Sequence, residues 1–408
     1  MIHANDDTPH SKGLLALTLL MCSALTIMAG AAVAPALPSM AEHFDRERPG
    51  ATLLVRLILT LPALFIALGA PFMGILLDKF GRKRILVCSL LAFGIFGGMA
   101  FLLASLEAIL VSRAALGIVV AGLMTSCSTL IGDHFEGSER DRIIGLQGAF
   151  MSFGGVGFIL ASTFLVRFGW REPFLIYLVA FALVPLAVWA VPEPVRQPGP
   201  SIGTDVEGAP LPWATILVTC GLSFLGMVFF YMIPVQLPFL ANDLTGGQTL
   251  HSGLVVATSS VLGAFSATQY HRLRRRLDVK AVAALVFILM AAGYSIVGLS
   301  DNIGLLYAGV ATGGLGLGML MPNLALWLMS ETPEAIRGRV VGALTTSVFL
   351  GQFLSPLIVE PAVREGGVSF SFRVAGAALL ALGIVLIAGN ALAAKRQLIG
   401  TAEGPSAR

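Results

Sequence analysis

The sequence predicts an all-helical membrane protein of twelve transmembrane helices arranged as two six-helix halves. Three observations carry this. Of its 408 residues, 56% are hydrophobic and 12% charged, about half the charged share of an ordinary soluble domain. Apolar stretches long enough to cross a bilayer recur along the whole chain. The cations fall overwhelmingly in alternate loops. So much apolar sequence exceeds what a water-soluble core can hold, and it needs lipid as solvent.

A hydrocarbon core of about 30 Å takes about 20 residues of helix. In the first half, stretches of that kind lie at 13–37, 52–77, 85–104, 108–131, 143–166 and 174–191. In the second half they lie at 212–234, 252–270, 281–299, 304–328, 340–358 and 372–394. The runs are continuous and lack the ten-residue alternation of barrel strands, so the spans are helices. The first begins behind Lys12 and runs into the Ala-rich AGAAVAPA at 29–36, a pattern also seen in cleaved signal peptides. Its length and the spans that follow make it the first transmembrane helix, retained.

Orientation follows from the loops. Of the 26 Lys and Arg residues, Arg46, Arg48, Arg167, Arg171 and Arg364 lie in loops on one face. Arg56, Arg113 and Arg373 fall in spans or at their edges, and the remaining 18 lie on the other face. The cation-rich face is therefore expected to be cytoplasmic, with both termini inside and the protein in a bacterial inner membrane. The segment 192–211, PEPVRQPGPSIGTDVEGAPL, is rich in Pro and Gly and reads as a cytoplasmic linker. It divides the chain into halves 1–191 and 212–408.

An internal repeat supports that division. Arg140, Arg142 and Gly145 precede span five with the spacing R-x-R-x-x-G, and Arg337, Arg339 and Gly342 precede span eleven with the same spacing, 197 residues later. The same offset carries Gly117 onto Gly314 and Gly154 onto Gly351. Corresponding helices run the same way, as in parallel repeats about an axis along the membrane normal.

The loop between spans two and three reads GILLDKFGRKR at 74–84. Gly74 is expected to let helices approach closely, and Gly81 to permit a tight turn. Asp78 sits at a helix end, where it can accept backbone N–H groups or pair with an arginine. Arg82, Lys83 and Arg84 suit the inner headgroup surface. This loop resembles the signature loop of the major facilitator superfamily, G-x-x-x-D-[RK]-x-G-[RK]-[RK], at every defined position. The resemblance implies the fold of that family and secondary transport by alternating access. It also implies that Gly74, Asp78, Gly81 and Arg82, with Asp133 at the inner end of span four, form a latch that holds the outward-facing state. The second-half counterpart, GAFSATQYHRLRRRLD at 263–278, lacks the aspartate, so the latch is expected to be asymmetric.

Span four carries SRAALGIVVAG, similar to the R-x-x-x-G pattern of the family's proton antiporters through Arg113 and Gly117. An arginine inside a span costs about 2.5–3.5 kcal/mol on insertion scales. It is expected to face a cavity or a partner, or else to hold neighbouring helix carbonyls. Arg56 lies one turn inside span two, where it can also snorkel outward. Span five departs from the drug-antiporter pattern: it reads SFGGVGF at 152–158, without proline. Trp170–Phe174 resembles the family's W-R-x-x-F start of span six and suits an interfacial anchor.

No Asp or Glu lies deep in any expected span; Asp78, Glu107, Asp133, Glu172 and Glu360 all lie at ends. Among polar residues inside spans, Gln147, Tyr231, Asn323 and Gln352 are the expected cavity residues, with Arg113 and Arg56 as cavity or coupling charges. The rest of the wall is Phe, Met, Leu and Gly, which suits a hydrophobic or amphipathic solute.

These features point to the efflux branch: export of small hydrophobic or amphipathic compounds in exchange for protons. The alternative is a proton-coupled or uniport importer of small organic anions. A proton gradient is the expected driving force, and no cofactor is expected. No His, Cys or carboxylate cluster has metal-ligand spacing inside a span. The four cysteines lie in apolar runs rather than a disulfide framework. The partners expected are a small-molecule substrate and the lipid bilayer, with no nucleic acid, the protein acting as a monomer rather than an enzyme.

Overall fold

The computed structural model describes residues 9–194, 212–333 and 336–402, with side chains described over 12–194, 212–333 and 336–392. Every regular element in them is helical. In lipid the backbone N–H and C=O groups must be satisfied within each segment, which an α-helix does by itself.

The first half holds α1 (Pro9–Ala31), α2 (Leu37–Glu47), α3 (Thr52–Phe80), α4 (Arg82–Met99), α5 (Leu106–His134), α6 (Gly137–Leu165) and α7 (Val179–Ala190). The second holds α8 (Trp213–Leu244), α9 (Thr249–Arg274), α10 (Val279–Gly298), α11 (Ile303–Ser330) and α12 (Arg337–Ala402). Local chemistry starts several of them. Ser105, Asp278 and Asn302 each cap a helix by accepting the backbone N–H three residues on. Pro35 and Pro38 separate α1 from α2 through a 3-10 turn at Ala34–Ala36.

Among the described residues, ten helical stretches are long and apolar enough to cross a membrane. The other expected spans are accounted for physically. α4 has only 18 residues, and three of them are the cations Arg82, Lys83 and Arg84. α12 runs through two expected spans and breaks between them at Gly366 and Gly367, where Gly367 takes φ +78°. Each expected span thus coincides with helix over most of its length, and the third runs past the end of α4 at Met99. Helix ends run further than expected in several places, most of all in α8, which continues past its span to Leu244 through Pro234 and Pro238. The linker at 192–211 falls outside the described residues from 195 onward.

Large apolar side chains face outward along the helices, among them Phe72, Phe153, Trp189 and Val385, the surface a lipid-embedded bundle requires. Two main cores form, one within each half. Across the halves, α3 packs on α12 and α6 packs on α9. These two seams set the geometry of everything between them.

Candidate functional site

The two ends of the bundle differ. The end bearing the cation-rich loops is called here the basic end and the opposite one the far end. At the far end the halves are in contact. Arg56 on α3 pairs through Nη1 with Glu360 Oε2 on α12 at 2.7 Å, with the two side chains only 5% and 14% exposed. The Arg56 guanidinium also lies 5.1 Å from the ring centre of Phe239 on α8. Glu360 is held a second time, by Arg364 Nε at 2.9 Å one turn on, and that arginine is 71% exposed. Beside this pair, Asp45 accepts the Thr52 N–H at 3.2 Å and the Thr52 hydroxyl, which fixes the start of α3.

The second seam closes at the same end. A Cβ on Gly253 of α9 would lie 2.8 Å from Thr163 Cβ on α6, so only glycine allows this approach. Val235 of α8 is buried in the core of the first half, and Ile159 of α6 in that of the second. The Tyr231 hydroxyl sits 3.8 Å from the position a Cβ on Gly30 would take, which places Tyr231 in the seam.

The basic end is parted. The repeated glycines Gly145 and Gly342, and Gly148 and Gly338 beside them, have nothing within 4 Å of a Cβ position. The ion pairs described there stay within one half: Arg82 Nε with Asp133 Oδ2 at 3.1 Å, and Lys280 with Glu331 at 3.9 Å. Gly74 also has nothing within 4 Å. The close helix approach expected of it is not made in this conformation.

Of the expected latch residues, Arg82 and Asp133 are brought together. Gly81 takes φ +95°, a conformation glycine adopts without strain. Glu193, which the sequence reading did not single out, accepts the backbone N–H of Arg82 at 2.6 Å and of Lys83 at 3.1 Å. A carboxylate at a helix N-terminus satisfies orphan donors and complements the helix dipole. The linker's first residues thus dock on the signature loop, and Pro192 O lies 3.3 Å from His134 Nε2.

Arg113 does not face a cavity in this conformation. It is fully buried, and its Nη2 donates to Gly97 O at 2.7 Å and Phe96 O at 3.2 Å. The rings of Phe174 and Tyr177 flank the guanidinium at 5.0 and 4.9 Å. Tyr177 in turn donates to Ala29 O at 2.9 Å. Arg113 therefore joins α4 and α5 to the segment before α7. Gly117, one turn on, lets α5 close onto α3, since a Cβ there would overlap the Pro62 carbonyl.

The expected cavity residues divide as well. Asn323 is 1% exposed and bonded on both sides, accepting from Tyr270 OH at 3.1 Å and donating to Val279 O at 2.8 Å. It ties α9, α10 and α11 together. Gln147 donates to Ser23 Oγ at 2.8 Å and joins α6 to α1. Gln352 reaches only a thioether, Met227 Sδ at 3.8 Å. Gln236 on α8 is fully buried, and neither of its amide atoms has a hydrogen-bond partner. Among the described residues no cluster could hold a metal ion.

A helical bundle whose two halves meet at one end and part at the other, with the signature loop at the parted end, matches one family pattern. Residues 19–356 match the model described as Major Facilitator Superfamily. The chain belongs to the Major Facilitator Superfamily.

Curated relatives of this superfamily member cover most of its length. It is 29% identical over 343 residues to the putative niacin/nicotinamide transporter NiaP of Bacillus subtilis, covering 80% of this chain and 84% of that one. It is 25% identical to the cis,cis-muconate transport protein of Acinetobacter baylyi, covering 78% and 81%. It is also 25% identical to the proline/betaine transporter of Escherichia coli, covering 76% and 70%. Among solved structures, the inward-open xylose transporter XylE from E. coli superposes with a TM-score of 0.74 at 16% identity, covering 91% of this chain and 94% of that one. That likeness shows the fold. The chain is a multi-pass membrane transporter and not an enzyme. None of the three curated relatives is named as an efflux pump, so they lend no support to the efflux branch.

Proposed function

We propose that this transporter carries small organic carboxylates, anionic or zwitterionic, into the cell by alternating access. The observation that carries the mechanism is the contrast between its ends. The far end is closed by a buried ion pair between the halves, and the basic end is open. With the basic end cytoplasmic, as the cation distribution supports, this is the inward-open member of an alternating pair.

The substrate class rests on the relatives. Niacin and cis,cis-muconate are carboxylates, and proline and betaine are carboxylate zwitterions. A carboxylate is thus named for each of the three, although the B. subtilis relative is also named for nicotinamide, a neutral amide, and the carboxylate is the class we take. The geometry supports the class in one respect: Arg56, one of two buried arginines among the described residues, lies in the seam between the halves. Import replaces the export direction of the efflux resemblance, with the proton gradient kept as the proposed driving force and the monomer as the working unit.

Uptake of radiolabelled nicotinate, muconate and glycine betaine into proteoliposomes tests this, with and without an imposed pH gradient. Saturable uptake of at least one carboxylate, competed by the others, is the expected result. Transport confined to lipophilic cations or neutral sugars would overturn the reading.

A further inference from the structure

We infer that Arg56 is a carboxylate-binding residue of the outward-open state: the arginine that seals the far end against Glu360 in this conformation is the one that receives the substrate's carboxylate when the seal opens. The inference rests on the substrate class proposed above and adds to it a residue and a site.

The argument begins with an asymmetry in the seal. Glu360 has two cations, Arg56 from the other half and Arg364 from its own helix. Arg56 has a single carboxylate partner, and its Nε is buried without a hydrogen bond. For a substrate to reach the centre from the far end, α3 and α12 must separate there. Glu360 then keeps Arg364, while Arg56 is left with an uncompensated guanidinium on an apolar helix, beside Phe239. An unpaired cation in such surroundings is costly, and a carboxylate is the group that repairs it. Its planar fork suits two carboxylate oxygens at once, and the unbonded Nε is the second donor that such a pair uses.

The other arginine inside the spans cannot serve. Arg113 is fully buried, and although its Nε and Nη1 are also without a hydrogen bond, its described partners, two helix carbonyls and two aromatic rings, all belong to its own half. Asp45 is the competing partner for Arg56, on the same half, but it is already engaged at the start of α3 by the N–H and hydroxyl of Thr52. In this scheme substrate and Glu360 are alternative ligands of one guanidinium. Closing the far end requires Glu360 to displace the substrate's carboxylate toward the centre.

The test compares two variants that break the same ion pair from opposite sides. Glu360→Gln and Arg56→Gln should both open the far end, read as labelling of an Ile159→Cys reporter by a membrane-impermeant maleimide. Their effects on binding should have opposite signs. Glu360→Gln frees Arg56 and should tighten equilibrium nicotinate binding by at least about threefold, whereas Arg56→Gln should weaken it about tenfold, the scale of one lost charge-assisted hydrogen bond. Nicotinamide, which lacks the carboxylate, should change less than about twofold in either variant. The reversed pair Arg56→Glu with Glu360→Arg should close the far end again without restoring nicotinate affinity. Asp45→Asn keeps Arg56 and should leave nicotinate affinity within about twofold.

Changes of the same sign in the two single variants, or equal losses for nicotinate and nicotinamide, would make Arg56 a seal alone and overturn the inference while the carboxylate reading stands. Absence of binding of nicotinate, muconate and betaine by the unaltered protein would overturn both.

Discussion

Arg56 and Arg113 are the same residue type, both buried inside apolar helices, and they have different consequences. Arg113 spends its guanidinium on carbonyls and rings of its own half. Its partners move with it through any rocking of the halves. Arg56 spends its guanidinium on a carboxylate of the opposite half, so every opening of the far end must break that bond. The lesson is that burial alone does not make an intramembrane charge functional. What decides is whether its partner belongs to a rigid body that moves away.

Stability and transport should separate along that line. Arg113→Ala strands two buried carbonyl groups and empties a slot between two aromatic rings. It should destabilise the folded protein by about 3 kcal/mol or more, seen as a lower thermal midpoint and less monodisperse protein in fluorescence-detected size exclusion. Arg56→Gln leaves Glu360 paired with Arg364, so it should lower that midpoint less than Arg113→Ala and still cut carboxylate uptake by about tenfold. The comparison breaks if Arg56→Gln unfolds the protein as readily as Arg113→Ala.

Two glycines sharpen the same distinction. Gly117→Ala drives a methyl group into the Pro62 carbonyl within one half, and overpacking of this kind costs about 1–3 kcal/mol. Gly74→Ala meets open space in this conformation and should not move the thermal midpoint. If the space beside Gly74 fills when the basic end closes, the same substitution should slow transport. Unchanged uptake by Gly74→Ala would remove Gly74 from the moving surface.

The smallest effect is expected at Glu193. Removing its carboxylate with Glu193→Ala uncaps α4 at Arg82 and Lys83 and should cost about 1 kcal/mol, measurable as a lower thermal midpoint. A larger loss would mean that the linker's first residues do more than cap a helix.

Much of the fold was legible in the sequence because lipid imposes it. Helices long enough to cross a bilayer leave continuous apolar runs, and the R-x-R-x-x-G repeat marked equivalent positions in the two halves. The signature loop located Gly81 and Arg82, the resemblance added Asp133 at the end of span four, and Arg82 and Asp133 do pair. The site was less legible, for physical reasons. A sequence read one span at a time does not say which helix faces which across the bundle. Glu360, the partner of Arg56, lies 304 residues away and looked like an ordinary end carboxylate. Asn323 had the composition of a cavity residue, yet Tyr270 and the Val279 carbonyl use both sides of its amide. Glu193 was hidden because a helix N-terminus is a ligand that leaves no side-chain signal. Gly253, where α9 closes onto Thr163 of α6, resembles any glycine in a Gly-rich membrane sequence.

The central claim is that the far end must open and close for transport, and the seam of α6 and α9 offers the most direct measurement. Thr163→Cys with Gly253→Cys, in a background without the four native cysteines, places two thiols across that seam. Their Cβ positions, 2.8 Å apart, must spread to the roughly 3.8 Å of a disulfide, so uptake before oxidation is the control that the substituted seam still closes. Carboxylate uptake into proteoliposomes is then followed before oxidation, after it and after reduction. The account predicts that oxidation abolishes uptake, that reduction restores it, and that the basic end stays open to labelling while the bond is in place. Full uptake by quantitatively cross-linked protein would contradict it.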